Sequence, residues 1–303
     1  MKEIEQIVKL SRKINILYNN NPMDELIEQK LVIPVGIGLF VFTGILAQIL
    51  EKIENIIKQI AKKVDAEPIC VPSLLSWENT QKSQYLNSFR NQAISLYTLP
   101  ETTAEPSLND CIGLASPTVC YHYFSSLQNS TIKKNHVITA ISKCARKEQG
   151  PLPDFSRCTN FTMREVVILG TEQFCQEKRN EILQETLNIL NTFFDLDYSL
   201  VTASDPFFGN QSELKTKAQL FSEAKYEIQA TIPWNKSSIS IASFNNHGKI
   251  FYSRFSISST DPLLSHSSCI GWGYERILYT ILTQKGLDFN SPYYINLLKK
   301  DEE

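Results

Sequence analysis

The residues able to do chemistry are spread thinly along this 303-residue chain. Its cysteines, Cys70, Cys111, Cys120, Cys144, Cys158, Cys175 and Cys269, lie on separate segments with no CxxC pair. Two thiolates and a carboxylate would hold a zinc ion and leave a fourth coordination position open. No local spacing groups such a set, and a lone cysteine is more often a small buried apolar residue. His122, His136, His247 and His266 are the other candidate ligands, and we read them as supporting or structural. Two arginines stand out by context. Arg146, in SKCARKEQ, ends a β-rich run beside a polar loop, and Arg276 interrupts an otherwise apolar helical segment. An isolated arginine is usually a solvated surface residue. One held in a cleft presents a fork suited to phosphate oxygens. Neither common phosphate cradle, GxGxxG or the Walker A loop, is present.

The elements that must position these groups follow from periodicity. Residues 1–30 read as a polar, partly helical leader, and residues 31–303 as one domain. The uncharged stretch LVIPVGIGLFVFTGILAQ approaches the length of a membrane span. Pro34, Gly36, Gly38 and Gly44 interrupt it, so we read a buried strand or turn followed by a helix, with no membrane anchor. From Ile45 to Lys63 the isoleucines and leucines form one helical stripe. An extended piece, PICVPSLL, follows. Residues 78–110 read as loops with short helices. HVITAIS and FTMREVVILG, separated by QGPLPDFSRCTN, predict a hairpin with a long loop. Gln176 to Leu196 predicts a long helix. KYEIQATIP, SISIASF and KIFYSRFSI predict three β runs, and GWGYERILYTILTQKG a glycine-led helix directly after Cys269. Adjacent strands with flanking helices indicate an α+β fold with an antiparallel β-sheet, not a Rossmann alternation.

Composition narrows the function classes. A formal net charge of -2 gives no electrostatic reason for avid nucleic-acid binding. Scattered cysteines, odd in number, argue against a secreted disulfide scaffold and for a reducing cytosol. The opening MKEIEQIVKLSRK shows no signal peptide, so a cytoplasmic location is expected.

Three separated segments matter together: LASPTVCYHYF, SKCARKEQ through FTMREVVILG, and SSCIGWGYERILYTIL. ARKE and GYER, in this order, resemble the second and third signature motifs of class II aminoacyl-tRNA synthetases. The helix and extended segment ending at Pro72 resemble the first, dimer-forming motif. AKYEIQATIPWNKSSISIASFNN is similar to the part of seryl-tRNA synthetases that precedes the third motif. The strings CYHYF, FTMRE, DPFFG, KYEI, SFNNH and CIGWGYER together resemble the amino acid:[carrier protein] ligases, seryl-synthetase homologues without the tRNA-binding arm. The resemblance spans about residues 30–290.

The resemblance implies a class II synthetase-like catalytic domain that uses ATP, with magnesium, to activate a small amino acid, glycine or alanine. The acyl group would pass to the phosphopantetheine thiol of a carrier protein. It implies one zinc ion per subunit on Cys120, Glu165 and Cys269, with Glu165 also touching substrate. Arg146 would hold the α-phosphate and the carboxylate, and Arg276 the γ-phosphate. Glu148 would accept from the adenine amino group and Phe161 would stack on adenine. Arg157, Cys158 and Ser240 match other ATP-site positions. A homodimer is implied by the first motif. The sequence departs from the pattern at Ala145 and Lys147, beside Arg146, and at Ser240, where seryl-tRNA synthetases carry a metal-binding glutamate. Two other readings are an aminoacyl-tRNA synthetase acting on tRNA and a catalytically silent regulatory subunit. The short leader and the net charge count against tRNA. Retention of both arginines and all three ligands counts against silence.

Overall fold

The structure is a computed structural model; it describes residues 7–99, 101, 110–205, 207 and 212–299. Its centre is an eight-stranded sheet in the order Val8–Arg12, Tyr198–Thr202, Lys225–Ile232, Ser237–Gly248, His266–Gly273, Asn160–Gly170, His136–Ala145 and Glu67–Pro68. All neighbours are antiparallel except the last pair. One face is covered by the helices Gly44–Lys63, Glu172–Thr192 and Tyr274–Lys285.

The stripe on Gly44–Lys63 is consumed by this packing. Leu46, Ile49, Ile53, Ile57 and Ile60 are all buried within the chain, and the helix lies against Tyr274–Lys285 and Glu172–Thr192. These residues of the stripe are therefore core within the chain. The Glu172–Thr192 helix starts four residues earlier than periodicity indicates. Thr171 caps it by accepting from the Phe174 N–H at 3.2 Å, a side-chain bond that satisfies an otherwise free donor.

Alternation along FTMREV sends neighbours to opposite faces of the sheet. Glu165 faces away from the helices, whereas Arg164 faces them. Arg164 is buried and forks onto Glu54 through Nε (3.1 Å) and Nη2 (2.5 Å), while Nη1 donates to Thr139 Oγ1 at 2.9 Å. Tyr274 also donates to Glu54. Removing one partner of a buried pair strands the other. Arg164→Leu should lower unfolding stability by about 3 kcal/mol, measured by urea denaturation, and Arg164→Lys should recover only part of it.

Several expected elements are different in the fold. Val8–Arg12, within the segment set apart as a leader, is an edge strand of the main sheet paired with Tyr198–Val201. Val8–Arg12 thus belongs to the same sheet as the residues beyond position 30. Residues 1–6 lie outside the described residues. The uncharged stretch before Gly44 is a hairpin of Val32–Gly36 and Leu39–Phe42. It is largely exposed rather than buried, with Val35 at 60% and Ile37 at 84%. KIFYSRFSI is not a strand; Ile250–Arg254 is helical, followed by the short strand Ser258–Ser259. A helix buries Phe251, Tyr252 and Phe255 while leaving Ser253 exposed, whereas strand alternation would have put Ser253 between the two phenylalanines. Both pack on Phe124, with ring centroids 4.3 and 6.3 Å away. Cys269 does not precede a helix directly but sits mid-strand in His266–Gly273, and the helix begins at Tyr274. No helix among the described residues is long and apolar enough to cross a membrane.

Candidate active site

Sheet register brings the chemistry together on the face away from the helices. One row across the strands runs Ala140, Glu165, Gly271, Ser243, Glu227. The next on that face runs Ile138, Val167, Cys269, Asn245, Lys225. Glu165 and Cys269 are thus diagonal neighbours, two positions apart on adjacent strands, a separation side chains can bridge. The third group comes from outside the sheet. The helix Cys120–Ser126 begins against it, and the Cys120 N–H, which has no partner within its own helix, donates to Glu165 Oε2 at 2.8 Å.

Cys120, Glu165 and Cys269 are all buried, and their ligand atoms lie within 4.8 Å of one another. Thr118 Oγ1 donates to Glu165 Oε1 and lies 3.7 Å from Cys120 Sγ. Cys269 Sγ meets His247 Nε2 at 3.3 Å and Asn245 Nδ2 at 3.6 Å. His247 Nδ1 is buried without a hydrogen-bond partner among the described residues.

These contacts set the protonation of the trio. A hydrogen bond to Cys269, then burial and the Glu165 charge, holds the Cys120 thiol well above its ordinary range. The same hydrogen bond from Cys120 is the main reason Cys269 is held well below it, with His247 and Asn245 assisting. The opposite shifts describe two sulfurs sharing one proton. Burial first, then the Cys269 charge, pushes the Glu165 carboxyl up to about 7. Three acidic groups crowded away from water, reconciled by shared protons, form a donor set that a divalent cation would satisfy better. The chemistry fits zinc: two sulfurs and one carboxylate, with room for a fourth ligand.

The trio forms one end of a cleft of about 340 Å3 that Arg146, Glu148, Cys158, Phe161, Ser240 and Arg276 also line. Arg146 is anchored by Nε to Pro117 O at 2.9 Å, in the segment leading to Cys120, and its guanidinium lies 5.4 Å from the Phe161 ring centre. Arg276 reaches from the first turn of Tyr274–Lys285 to Ser156 O and Ser240 O, both at 3.1 Å. Burial lowers its pKa, opposed mainly by the Glu148 charge. Cys158 Sγ donates to Phe155 O at 3.3 Å, and burial pushes the thiol up to about 12. Arg157 is placed elsewhere. It does not line the cleft, and its guanidinium folds back onto Gln149 O and Pro151 O, both at 3.1 Å, tying the 146–159 loop to itself. His122 bonds Ser116 at 2.8 Å, while His136 and His266 lie 3.5 and 3.7 Å from Glu67 and Glu172; none joins the metal group.

The sequence reading missed part of this cleft. Lys225 is buried and bonded to Asp205 Oδ1 at 2.7 Å and Glu227 Oε1 at 2.9 Å. The signal was present: KYEIQATI alternates, so Lys225 and Glu227 share a face that an ordinary strand would leave apolar or wet. Glu275, next to Arg276, accepts from the Thr162 N–H at 2.8 Å and Thr162 Oγ1 at 2.8 Å, locking helix to hairpin. Of DPFFG, Asp205 and Phe207 are described, and Pro206, Phe208 and Gly209 lie outside the described residues.

Comparison with known proteins places this geometry. No family model matches the sequence. The chain is 24% identical over 291 residues to an amino acid--[acyl-carrier-protein] ligase of Bradyrhizobium diazoefficiens, covering 89% of this chain and 87% of that protein. It is 22% identical over 288 residues to the type-2 serine--tRNA ligase of Methanopyrus kandleri, covering 84% of this chain but 54% of the relative. Among solved structures, the M. kandleri seryl-tRNA synthetase crystallised with an Aquifex aeolicus tRNA superposes with a TM-score of 0.83 at 18% identity, covering 96% of this chain and 62% of that one. The cytoplasmic serine--tRNA ligase of Naegleria fowleri, bound to AMP, gives 0.72 at 13% identity, covering 95% and 71%. The chain therefore spans nearly all of the carrier-protein ligase and about half of the M. kandleri serine--tRNA ligase. Its fold is the α+β fold of the class II seryl-tRNA synthetases, and its sequence is similar to that of an amino acid--[acyl-carrier-protein] ligase.

Proposed function

We propose that this protein activates a small amino acid with ATP and transfers the acyl group to the phosphopantetheine thiol of a carrier protein. The observation that carries the reading is the sharing of one cleft by the Cys120–Glu165–Cys269 trio, Arg146 and Arg276. In activation, a carboxylate oxygen bonds to the α-phosphorus of ATP and the bond to pyrophosphate breaks. Two anions must meet, so positioning and charge neutralisation dominate the chemistry. Arg146 would neutralise the carboxylate and α-phosphate, and Arg276 the γ-phosphate. Phe161 would stack on adenine, with Glu148 accepting from its amino group. Ser240 and Cys158 would complete the nucleotide wall. A zinc ion held by the trio would supply an open coordination position for the substrate amino group. Thr118, Met163 and Tyr121 crowd that end of the cleft, which favours glycine or alanine. In the second step the thiol sulfur bonds to the acyl carbon and AMP leaves.

The carrier-protein acceptor rests on similarity to the Bradyrhizobium ligase across most of both chains. The tRNA reading is kept because the other relatives described above are serine--tRNA ligases. The experiment is ATP–pyrophosphate exchange across the amino acids with ATP and magnesium, followed by incubation with a holo carrier protein or tRNA. Exchange with glycine or alanine and a matching mass gain on the carrier supports the proposal. Loading of tRNA alone overturns the acceptor assignment, and absence of exchange in zinc-replete protein overturns the activation step.

A homodimer fits the exposed apolar hairpin at 32–42 better than the buried helix stripe, since patches of this kind mark interaction sites. Sedimentation should give a dimer, with Val35→Asp/Ile37→Asp shifting it to monomer.

A further inference from the structure

The cleft holds a polar group that none of these assignments uses. Tyr85 is 5% exposed, lines the cleft, and its hydroxyl has no hydrogen-bond partner among the described residues. A buried hydroxyl without a partner carries its full desolvation penalty in the free protein. A ligand that accepts from it removes that penalty.

The ring is held firmly enough to aim the hydroxyl. It packs edge-on to Tyr121 with centroids 6.0 Å apart and tilted against Phe89 at 5.3 Å. Just before it, Gln84 takes a left-handed backbone (φ 55) at the end of the Trp77–Ser83 helix. This conformation is uncommon for a non-glycine residue, and it turns the chain so that Gln84 and Tyr85 both border the cleft. Burial pushes the phenol up to about 12, and the charged groups acting on it are Arg146 and Glu148. At neutral pH it is therefore an uncharged O–H donor in the cleft that the Arg146 guanidinium also lines. A donor so placed complements an anionic oxygen that the guanidinium also attracts.

We propose that Tyr85 is a substrate-binding residue whose hydroxyl donates to the oxygen neutralised by Arg146 at the reacting centre, whether carboxyl-derived or on the α-phosphate. The inference rests on the activation reading of the cleft and adds a donor from a segment that carries no recognised motif.

Tyr85→Phe tests it, since the variant keeps the ring packing and deletes only the hydroxyl. Parent and variant are compared by thermal melting and by calorimetric binding of AMP and of a non-hydrolysable glycyl-sulfamoyl adenosine. The variant should melt at the same temperature or higher, because it loses an unsatisfied group. It should bind the glycyl compound about tenfold more weakly, the effect of losing a hydrogen bond to a polarised oxygen. Weakening of both ligands identifies a phosphate oxygen, and weakening of the glycyl compound alone a carboxyl-derived one; either supports the proposal. Unchanged affinity for both overturns it, since the hydroxyl would then gain no partner from either ligand. A fall of several degrees in melting temperature also overturns it, by showing that the hydroxyl is satisfied in the free protein. A parent protein that binds neither ligand removes the activation reading and this inference with it.

Discussion

Cys120→Ala and Cys269→Ala should each lose bound zinc and amino-acid activation together while keeping the fold. The two sulfurs and Glu165 are within 4.8 Å of one another, so each thiolate is a third of the protein donor set. Mutation of an outer partner of a metal ligand costs about 10–100-fold in affinity. Losing a direct ligand should exceed that, leaving metal content near background after dialysis. The fold should survive because each substitution removes one sulfur from a site lined largely by the sheet. The Cys120 contact to Glu165 also runs through its backbone N–H, which alanine retains. The measurement is metal per chain by elemental analysis, with pyrophosphate exchange and circular dichroism on the same samples. One equivalent of zinc in both variants would sink the assignment of the trio.

Arg276→Ala should retain zinc and lose activation, by about 10²–10³ in kcat, or about 3–4 kcal/mol. The arginine touches no member of the trio, so metal content should not move. Its side chain has one visible task and one proposed. Nε and Nη1 hold the carbonyls of Ser156 and Ser240, fixing the loop and strand that face each other across the cleft. The charge itself would meet the phosphates. Arg276→Lys distinguishes them, since a lysine keeps the charge but cannot span both carbonyls as a fork. Recovery of most activity by lysine would assign the effect to charge, and little recovery to the held geometry. Exchange by Arg276→Ala within threefold of the parent would refute a phosphate role.

The division between what was legible and what was not follows from the range of the forces involved. Local periodicity identified the Gly44–Lys63 helix, the hairpin of His136–Ala145 and Asn160–Gly170, and the antiparallel α+β architecture, because alternation and the 3.6-residue stripe are properties of short windows. It failed where neighbours decide. The aromatic run around Phe251 has strand-like composition, yet packing against Phe124 selects a helix. Val8–Arg12 is polar by composition and becomes a strand only because Tyr198–Thr202 offers an edge. Arg157 in the hairpin loop bonds Gln149 O and Pro151 O, whereas Arg276 lines the cleft, and sequence alone separates neither placement.

For the site, the sequence by itself determined the inventory: two thiols, a carboxylate and arginines in strings that resemble known motifs. Only the tertiary structure decided which of them meet. Cys120, Glu165 and Cys269 are separated by long stretches of chain, and no spacing rule joins them. They converge because strand register sets Glu165 diagonal to Cys269 and because a helix start docks Cys120 onto the Glu165 carboxylate. Tyr85 makes the same point more sharply. Nothing in its local sequence distinguishes it from an ordinary core tyrosine. Its hydroxyl becomes informative only once its surroundings are known and no partner is found for it among the described residues.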